Sequence, residues 1–384
     1  MKRDLYNEDH DAFRDVVRTF AERHVAGEIE RWEAQRTIDR DAWLEAGRQG
    51  IIGLPAPAEH GGGGLDDYRF RSVVIEELAR VGAGSLNASF ALQDDLAIPY
   101  IASLGTEDQK SRWLPSMVAG ERIGAVAMTE PGAGSDLRGI RTAGRREPGG
   151  WVVSGSKIFI TNGIQADIVV VVVRTEPGGG SRGFSLLAIE SGMKGFERGR
   201  KLDKLGLHAQ DTAELFFEEV FVPDENVLGE IGGGLGYLFD HLPLERLSIA
   251  VQAVGSSAAV LEETIRFTSE RHAFGKRIAD FQNTRFQLAE LSTELDVTTA
   301  YVDKAMLAYE KDELTAVEAA KAKWWATDVQ GRLMDRCLQL FGGYGYMMEY
   351  PVARPFQDAR VQRIYGGTNE IMKEIIGRDL VGGR

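Results

Sequence analysis

The chain of 384 residues has only one cysteine, Cys337. A single cysteine excludes a disulfide within the chain and a metal centre built from several thiolates. Long apolar runs are also missing, since the longest, from Ile168 to Val173, is far too short to cross a bilayer as a helix. The first ten residues have no apolar signal region and are too acidic for a mitochondrial transit peptide, so we expect a cytoplasmic, bacterial protein with no transmembrane segment.

Positive charge is scarce. Lys and Arg number 45 against 58 Asp and Glu, which gives a net charge of -13. Such a surface repels phosphate backbones and argues against a nucleic-acid partner, although glycine amides and a few arginines can still form a local anion site. The sequence contains no HExxH or Walker A motif, and its six histidines show no paired spacing, so we expect no metal.

The first third of the chain has a helical pattern. Apolar residues at helix spacing, Phe13, Val16, Val17 and Phe20, together with a capping box from Thr106 to Gln109, predict an all-α N-terminal domain over residues 1–122. Pro99 lies inside this pattern and predicts a kink or a break there.

The rest of the chain divides into a strand region and a second helical region. Strand-like segments at 151–160, 168–173, 184–189 and 214–222 predict a middle β domain over residues 123–232. We expect it to be antiparallel, because parallel strands would need helical crossovers. Helical patterns at 235–271, 281–310 and 315–341, and a short one after Thr368, predict a C-terminal four-helix bundle over residues 233–384, and an α+β multidomain protein overall.

Residues 127–137 have the chemistry of a ligand-binding loop. Gly132 and Gly134 let the main chain approach a ligand closely, and Ser135 adds a hydroxyl. The spacing does not fit the dinucleotide fingerprint, because the third glycine would fall at Leu137 and Val126 opens no βαβ unit. A Rossmann nicotinamide site is therefore disfavoured.

This loop and the domain order resemble the acyl-CoA dehydrogenase family of flavoproteins. Four further segments agree, in order: 157–163, then 204–206 with Thr212 and 214–218, then 271–276, and the tail from 339–343 to 364–371. The resemblance covers nearly the whole chain, and the tail is most similar to the long-chain type. It implies FAD-dependent dehydrogenation of a medium- or long-chain acyl-CoA to trans-2-enoyl-CoA in fatty-acid β-oxidation. It also implies a homotetramer and an electron-transfer flavoprotein as electron acceptor.

The resemblance implies two groups of FAD contacts. The residues that would line the flavin are Met128, Thr129, Gly134, Ser135, Phe159, Ile160 and Thr161. The residues that would reach the pyrophosphate and adenine of an FAD bound mainly by a neighbouring subunit are Arg271, Phe274, Gln282, Gln339 and Gly343. Thr368 and Glu370 open the last helix, whose free amides suit an anionic ligand. The family usually has Trp at the position of Phe159, and many members have Gln at that of Glu370.

The position of the catalytic base is unusual. Many members carry a glutamate directly after the tail tyrosine, where this chain has Gly366. Either the chain is a non-catalytic acyl-CoA or FAD-binding subunit of a heteromeric complex, or another carboxylate reaches the same point. By itself Glu245 would be predicted as a surface residue of a helix, but the resemblance to the long-chain and isovaleryl branches implies that it is the base. None of its neighbours on the helix face is Lys or Arg.

The same resemblance implies contacts with the substrate. The Gly366 amide would donate to the thioester carbonyl, and the other residues expected to contact acyl-CoA are Ser135, Leu242, Arg246 and Gly367. An acyl-CoA oxidase is the remaining alternative. Because such relatives usually carry a long extra C-terminal region, we expect a dehydrogenase.

Overall fold

The N-terminal region of the computed structural model, which describes residues 3–382, is helical. Its helices are α1 (Glu8–Phe20), α2 (Ile29–Gln35), α3 (Arg40–Arg48), α4 (Tyr68–Arg80), α5 (Gly84–Ala91), α6 (Ile98–Leu104) and α7 (Glu107–Val118). Val17 and Phe20 are buried as predicted. Val16 is 41% exposed, because it lies at the edge of the apolar face of α1.

Pro99 changes the winding of the helix without breaking it. It stands in the first turn of α6, where no hydrogen bond from its nitrogen is needed. The turn before it, Leu92–Ala97, is a π-helix, whose wider hydrogen-bonding pattern joins α5 to α6. The predicted capping box at the start of α7 is confirmed, with Thr106 and Gln109 each accepting from the other's backbone amide.

The middle region is one eight-stranded sheet. Its strands are β1 (Gly124–Ala127), β2 (Ala143–Glu147), β3 (Gly150–Thr161), β4 (Ile168–Arg174), β5 (Phe184–Glu190), β6 (Phe196–Lys201), β7 (Thr212–Pro223) and β8 (Val227–Leu228). They lie in the order β6-β7-β3-β2-β4-β5-β8, and β1 pairs with β4. The helices α6 and α7 cover one face of the sheet through an apolar cluster that includes Val170 and Trp113.

The antiparallel prediction for this sheet is wrong at two pairings. β1 runs parallel to β4 over four residue pairs, and β2 meets β4 in a parallel bridge at Ala143 and Arg174. The β2–β3 hairpin lies between β1 and β4 in the sequence and returns the chain to the end from which it started, so no helical crossover is needed. The other strand pairs are antiparallel.

The C-terminal region contains the predicted long helices and one short additional helix. Its elements are α8 (Gly234–Glu270), β9 (His272–Ala273), β10 (Lys276–Arg277), α9 (Gln282–Tyr309), α10 (Ala316–Phe341), α11 (Ala353–Ala359) and α12 (Asn369–Leu380). The side chains of Thr315 and Thr368 cap α10 and α12. A shared apolar core joins α8, α9 and α10. Among residues 3–382, no helix is long and apolar enough to cross a membrane.

Candidate functional site

One wall of the candidate site is formed by the end of β3, where Phe159 has an unusual backbone conformation. Its φ is 62°, a left-handed value that an aromatic residue rarely adopts. The register of β3 against β7 shifts between Lys157 and Ile160, so Phe159 lies in a bulge, and its side chain is 65% exposed. Such conformations cost about 1–3 kcal/mol and are concentrated at functional sites. The fold therefore holds an aromatic ring out of the sheet at this point.

The loop before Ser135 is fastened to β3 through a buried ion pair. Nζ of Lys157 donates to the carbonyl oxygen of Met128 at 3.0 Å and to Oε1 of Glu130 at 2.9 Å. The carboxylate of Glu130 also accepts from the amide of Thr142 at 2.9 Å. Burial lowers the pKa of Lys157 to about 8, although Glu130 opposes the shift. Both residues lie inside the recognised motifs, yet the sequence analysis assigned them no role.

The glycine part of the same loop is open. A Cβ built on Gly132 or Gly134 would meet no atom within 4 Å. Within residues 3–382, the amides of Gly134 and Ser135 have no acceptor. The carbonyl of Thr129 accepts from the amide of Ile158 at 2.9 Å, which brings the loop beside β3. Free amides beside an exposed aromatic ring fit the flat, acceptor-bearing flavin that the resemblance implies.

The second wall is helical, and it brings Glu245 and Gly366 together. Glu245 is a half-buried residue in α8, and Gly366 lies in the turn before α12. A Cβ built on Gly366 would lie 3.5 Å from Oε1 of Glu245 and would overlap Cδ1 of Ile249. The φ of Gly366 is 63°, which glycine adopts without strain. The carboxylate of Glu245 thus reaches the point at which a side chain on residue 366 would begin.

The carboxylate of Glu245 is held by no hydrogen bond or ion pair in the described part of the chain. Burial raises its pKa above the ordinary glutamate range, whereas the charges of Arg246 and Lys323 lower it. Arg246 is itself buried, with Nε lacking a partner, and burial lowers its pKa. The sequence analysis considered only the neighbours of Glu245 on the same helix face. It therefore missed Arg246, which is adjacent in sequence, and Lys323, which lies on α10.

Lys323 is a site residue that the sequence analysis missed. Its side chain is 0% exposed, and Nζ donates to the carbonyl of Gly367 at 2.8 Å and to Oδ1 of Asn369 at 3.0 Å. These bonds attach the Gly366–Gly367 turn and the start of α12 to α10. Burial, together with the charge of Arg246, lowers the pKa of Lys323 to about 7, while Glu245 opposes the shift. In the sequence, the only indication that this lysine is buried was its position between two apolar residues, Ala322 and Trp324.

The other residues expected in this wall lie close by in the chain. Leu242 is half-buried, one turn before Glu245 on α8. Oγ1 of Thr368 accepts from the amide of Ile371 at 3.4 Å, and Glu370 is exposed in the first turn of α12. The amide of Gly366 has no acceptor among residues 3–382.

The second group of predicted FAD residues is far from Glu245. Arg271 follows α8, roughly 40 Å from Glu245 at 1.5 Å per helical residue. Its guanidinium lies over the ring of Tyr344, 5.1 Å from the centroid, and Phe274 is 96% exposed with a φ of 52°. Gln282, Gln339 and Gly343 are exposed at neighbouring ends of α9 and α10. Within one chain, the structure places Arg271 far from Glu245.

Family models of three domains match the chain in order. They are the acyl-CoA dehydrogenase N-terminal domain over residues 7–121, the middle domain over residues 125–220 and the C-terminal domain over residues 232–381.

Individual relatives are similar along nearly their whole length. The chain is 47% identical over 381 residues to the mitochondrial long-chain specific acyl-CoA dehydrogenase of Sus scrofa, with 99% of this chain and 88% of that protein covered. An acyl-CoA dehydrogenase structure from Geobacillus kaustophilus has a TM-score of 0.96 at 43% identity, covering 99% of this chain and 100% of that one. The butyryl-CoA dehydrogenase of Megasphaera elsdenii has a TM-score of 0.94 at 35% identity, with the same coverage.

Proposed function

Because the chain belongs to the acyl-CoA dehydrogenase family and is an FAD-dependent acyl-CoA dehydrogenase, we propose that Glu245 is its catalytic base. The observation that carries this proposal is the position of Oε1 of Glu245, 3.5 Å from where a side chain on Gly366 would start. A base must be unpaired and must have a pKa near the working pH. Glu245 has no ion-pair partner among the described residues, and burial raises its pKa.

FAD, when bound, supplies the acceptor for the hydride that leaves the β-carbon. The residues that would hold its ring are those of the β wall, Met128, Thr129, Gly134, Ser135, Phe159, Ile160 and Thr161. The free loop amides and the exposed ring of Phe159 support this assignment. Arg271, Phe274, Gln282, Gln339 and Gly343 would serve the FAD of another subunit, which agrees with their distance from Glu245. Thr368 and Glu370 would contribute at the amino end of α12.

Glu245 would remove the α-proton of the acyl thioester while the Gly366 amide donates to the thioester carbonyl. This amide has no acceptor within residues 3–382, so it is free to stabilise the negative charge that develops on that oxygen. One such donor contributes on the order of 3 kcal/mol. Ser135, Leu242, Arg246 and Gly367 would contact the rest of the acyl-CoA. The buried cation of Arg246 favours an anionic or strongly polar partner.

We assign a medium to long acyl chain in fatty-acid β-oxidation as the substrate, since the relative from Sus scrofa is named as long-chain specific. The electron-transfer flavoprotein, the homotetramer and the cytoplasmic location remain proposals. Reduction of an added electron-transfer flavoprotein tests the electron acceptor, and light scattering of the holoenzyme tests the homotetramer. The boundaries after residues 122 and 232 are proposals too, supported by the ranges of the family models.

Anaerobic bleaching of the flavin by acyl-CoA tests the base. Replacing Glu245 with Gln should slow bleaching by about 10²–10⁴-fold, the usual contribution of a general base. Glu262→Gln is the matched control, because that side chain is on the same helix and 69% exposed; it should bleach at the parent rate. Equal rates for Glu245→Gln and the parent would refute the assignment.

Measurements on the unmutated protein distinguish the dehydrogenase from the two alternatives, a non-catalytic subunit and an oxidase. A holoenzyme that no acyl-CoA bleaches would be the non-catalytic subunit. Rapid reoxidation of the reduced holoenzyme by oxygen would instead identify an oxidase.

A further inference from the structure

A cavity of about 50 Å³ lies beside the proposed site. Tyr365, the residue before Gly366, forms part of its lining, and α8 contributes Gln252, Ser256 and Val260. These three residues are four positions apart and so lie on one face of α8. The face begins about two turns, or roughly 10 Å, beyond Glu245. This distance is within the length of a medium or long acyl chain whose α-carbon touches Glu245.

The lining of this cavity includes buried polar side chains among its apolar residues. Beside Gln252, three further carboxamide residues in it are buried, with Asn87 4%, Gln330 1% and Gln362 8% exposed. Each has a side-chain oxygen without a hydrogen-bond partner. A buried polar group left unpaired costs about 1–3 kcal/mol. The lining residues therefore need hydrogen bonds that the protein itself does not supply.

The unpaired atoms are acceptors, so the missing partner is a donor. In Asn87 the choice of oxygen is settled by the network, because Nδ2 donates to the carbonyl of Ile75 at 3.2 Å. In Gln330, Nε2 donates to Oγ of Ser256 at 2.6 Å, which leaves Oε1 unpaired. A keto or ether oxygen could not satisfy such groups, because it only accepts. A hydroxyl could.

The charge of the cavity disfavours an anionic end group. No Lys or Arg is among its lining residues, whereas Asp358 is. Asp358 accepts from the amide of Leu207 at 2.6 Å, and burial raises its pKa to about 7. A terminal carboxylate would find no counter-charge here and would meet a second carboxyl group. A neutral hydroxyl meets neither penalty, and the volume is sufficient for at least one group of the size of water.

We infer that the distal part of the acyl site binds a neutral hydrogen-bond donor, so that the enzyme prefers acyl-CoA substrates with a hydroxyl group on the distal chain. This inference rests on the proposed function and specifies its substrate class. The hydroxyl would donate to the carboxamide oxygens that line the cavity. A plain alkyl chain of the same length would leave them unpaired.

The test uses the FAD-loaded enzyme and a set of acyl-CoA thioesters of one chain length. The set contains the plain alkyl chain and chains with a hydroxyl or a keto group at successive carbons. At the carbon that reaches the cavity, the hydroxyl should raise kcat/KM by about tenfold over the alkyl chain, and the keto group should not. A hydroxyl without advantage at every carbon, or a keto group with an equal advantage, would overturn the inference, as would a preference for a terminal carboxylate.

A variant locates the effect in the cavity. Gln362→Leu removes one of the three unpaired oxygens and should lower the ratio of hydroxyl to alkyl kcat/KM, whereas Gln357→Leu, in α11 and outside the lining, should keep the parent ratio. An unchanged ratio in Gln362→Leu would count against the cavity. The comparison of substrates on the parent enzyme needs no variant, so it stands even if Gln362→Leu does not fold. Absence of bleaching by all thioesters would refute the proposed function, whereas equal rates for all would refute only this inference.

Discussion

The two walls of the site each contain a buried lysine, and they use it differently. In the β wall, Lys157 donates directly to the carboxylate of Glu130 at 2.9 Å. In the helical wall, Lys323 donates only to the neutral oxygens of Gly367 and Asn369, although Glu245 is near enough to influence its pKa. The β wall therefore uses its carboxylate for structure, whereas the helical wall leaves its carboxylate unpaired.

This difference distinguishes the structural carboxylate of Glu130 from the proposed reactive carboxylate of Glu245. A carboxylate that accepts from a lysine and from backbone amides is held ionised, and burial of Glu130 is outweighed by these bonds, so that its pKa is lowered. A carboxylate with no such bonds keeps the effect of burial, as the raised pKa of Glu245 shows. Three substitutions would break or sharpen this comparison.

The largest expected effect on stability is at Glu130. Glu130→Gln leaves Lys157 buried without a counter-charge, which should lower the free energy of unfolding by about 3–5 kcal/mol. Urea denaturation of the holoenzyme measures it. Glu219→Gln changes an 80% exposed carboxylate on β7 and should have almost no effect. If both variants unfold at the same urea concentration, the ion pair does not hold the loop.

The next effect is at Gly366, where the helical wall leaves room for Glu245. Gly366→Ala places a Cβ against Ile249 at a left-handed φ, so it should cost about 1–3 kcal/mol of stability and slow flavin bleaching. Gly377→Ala is the control, because a Cβ there meets nothing within 4 Å and the residue lies inside α12. It should be neutral or slightly stabilising. If Gly366→Ala is as active and as stable as the parent, the turn can accommodate a Cβ at residue 366, which would contradict this prediction.

The smallest effect should appear in the pH profile of Lys323→Met. Glu245 must be ionised to accept a proton, so kcat/KM falls as pH drops through its pKa in the free enzyme. Removing a cation that lowers this pKa should move that fall to higher pH. Lys321→Met, on the same helix, should leave the profile in place. A shift to lower pH, or none, would mean that Lys323 supports only the turn.

Much of the architecture could be predicted from local patterns. The long bundle helices, the cap at Thr106 and the helix start at Thr368 depend on neighbours within a few residues, so local patterns were enough to find them. Strand β4 is apolar from Ile168 to Val173 because both its faces are buried there. The pairing of β1 with β4 was not predictable in this way, since its partners are more than forty positions apart.

The sequence by itself determined the family and the gap at Gly366, because both are properties of residue order. It also named Glu245 as the candidate that the resemblance implies. Only the tertiary structure decided that the carboxylate of Glu245 reaches residue 366 and that Lys323 approaches from another helix. The physical reason is that a pKa and a free hydrogen-bonding group depend on which side chains meet in space, and these come from helices far apart in the chain.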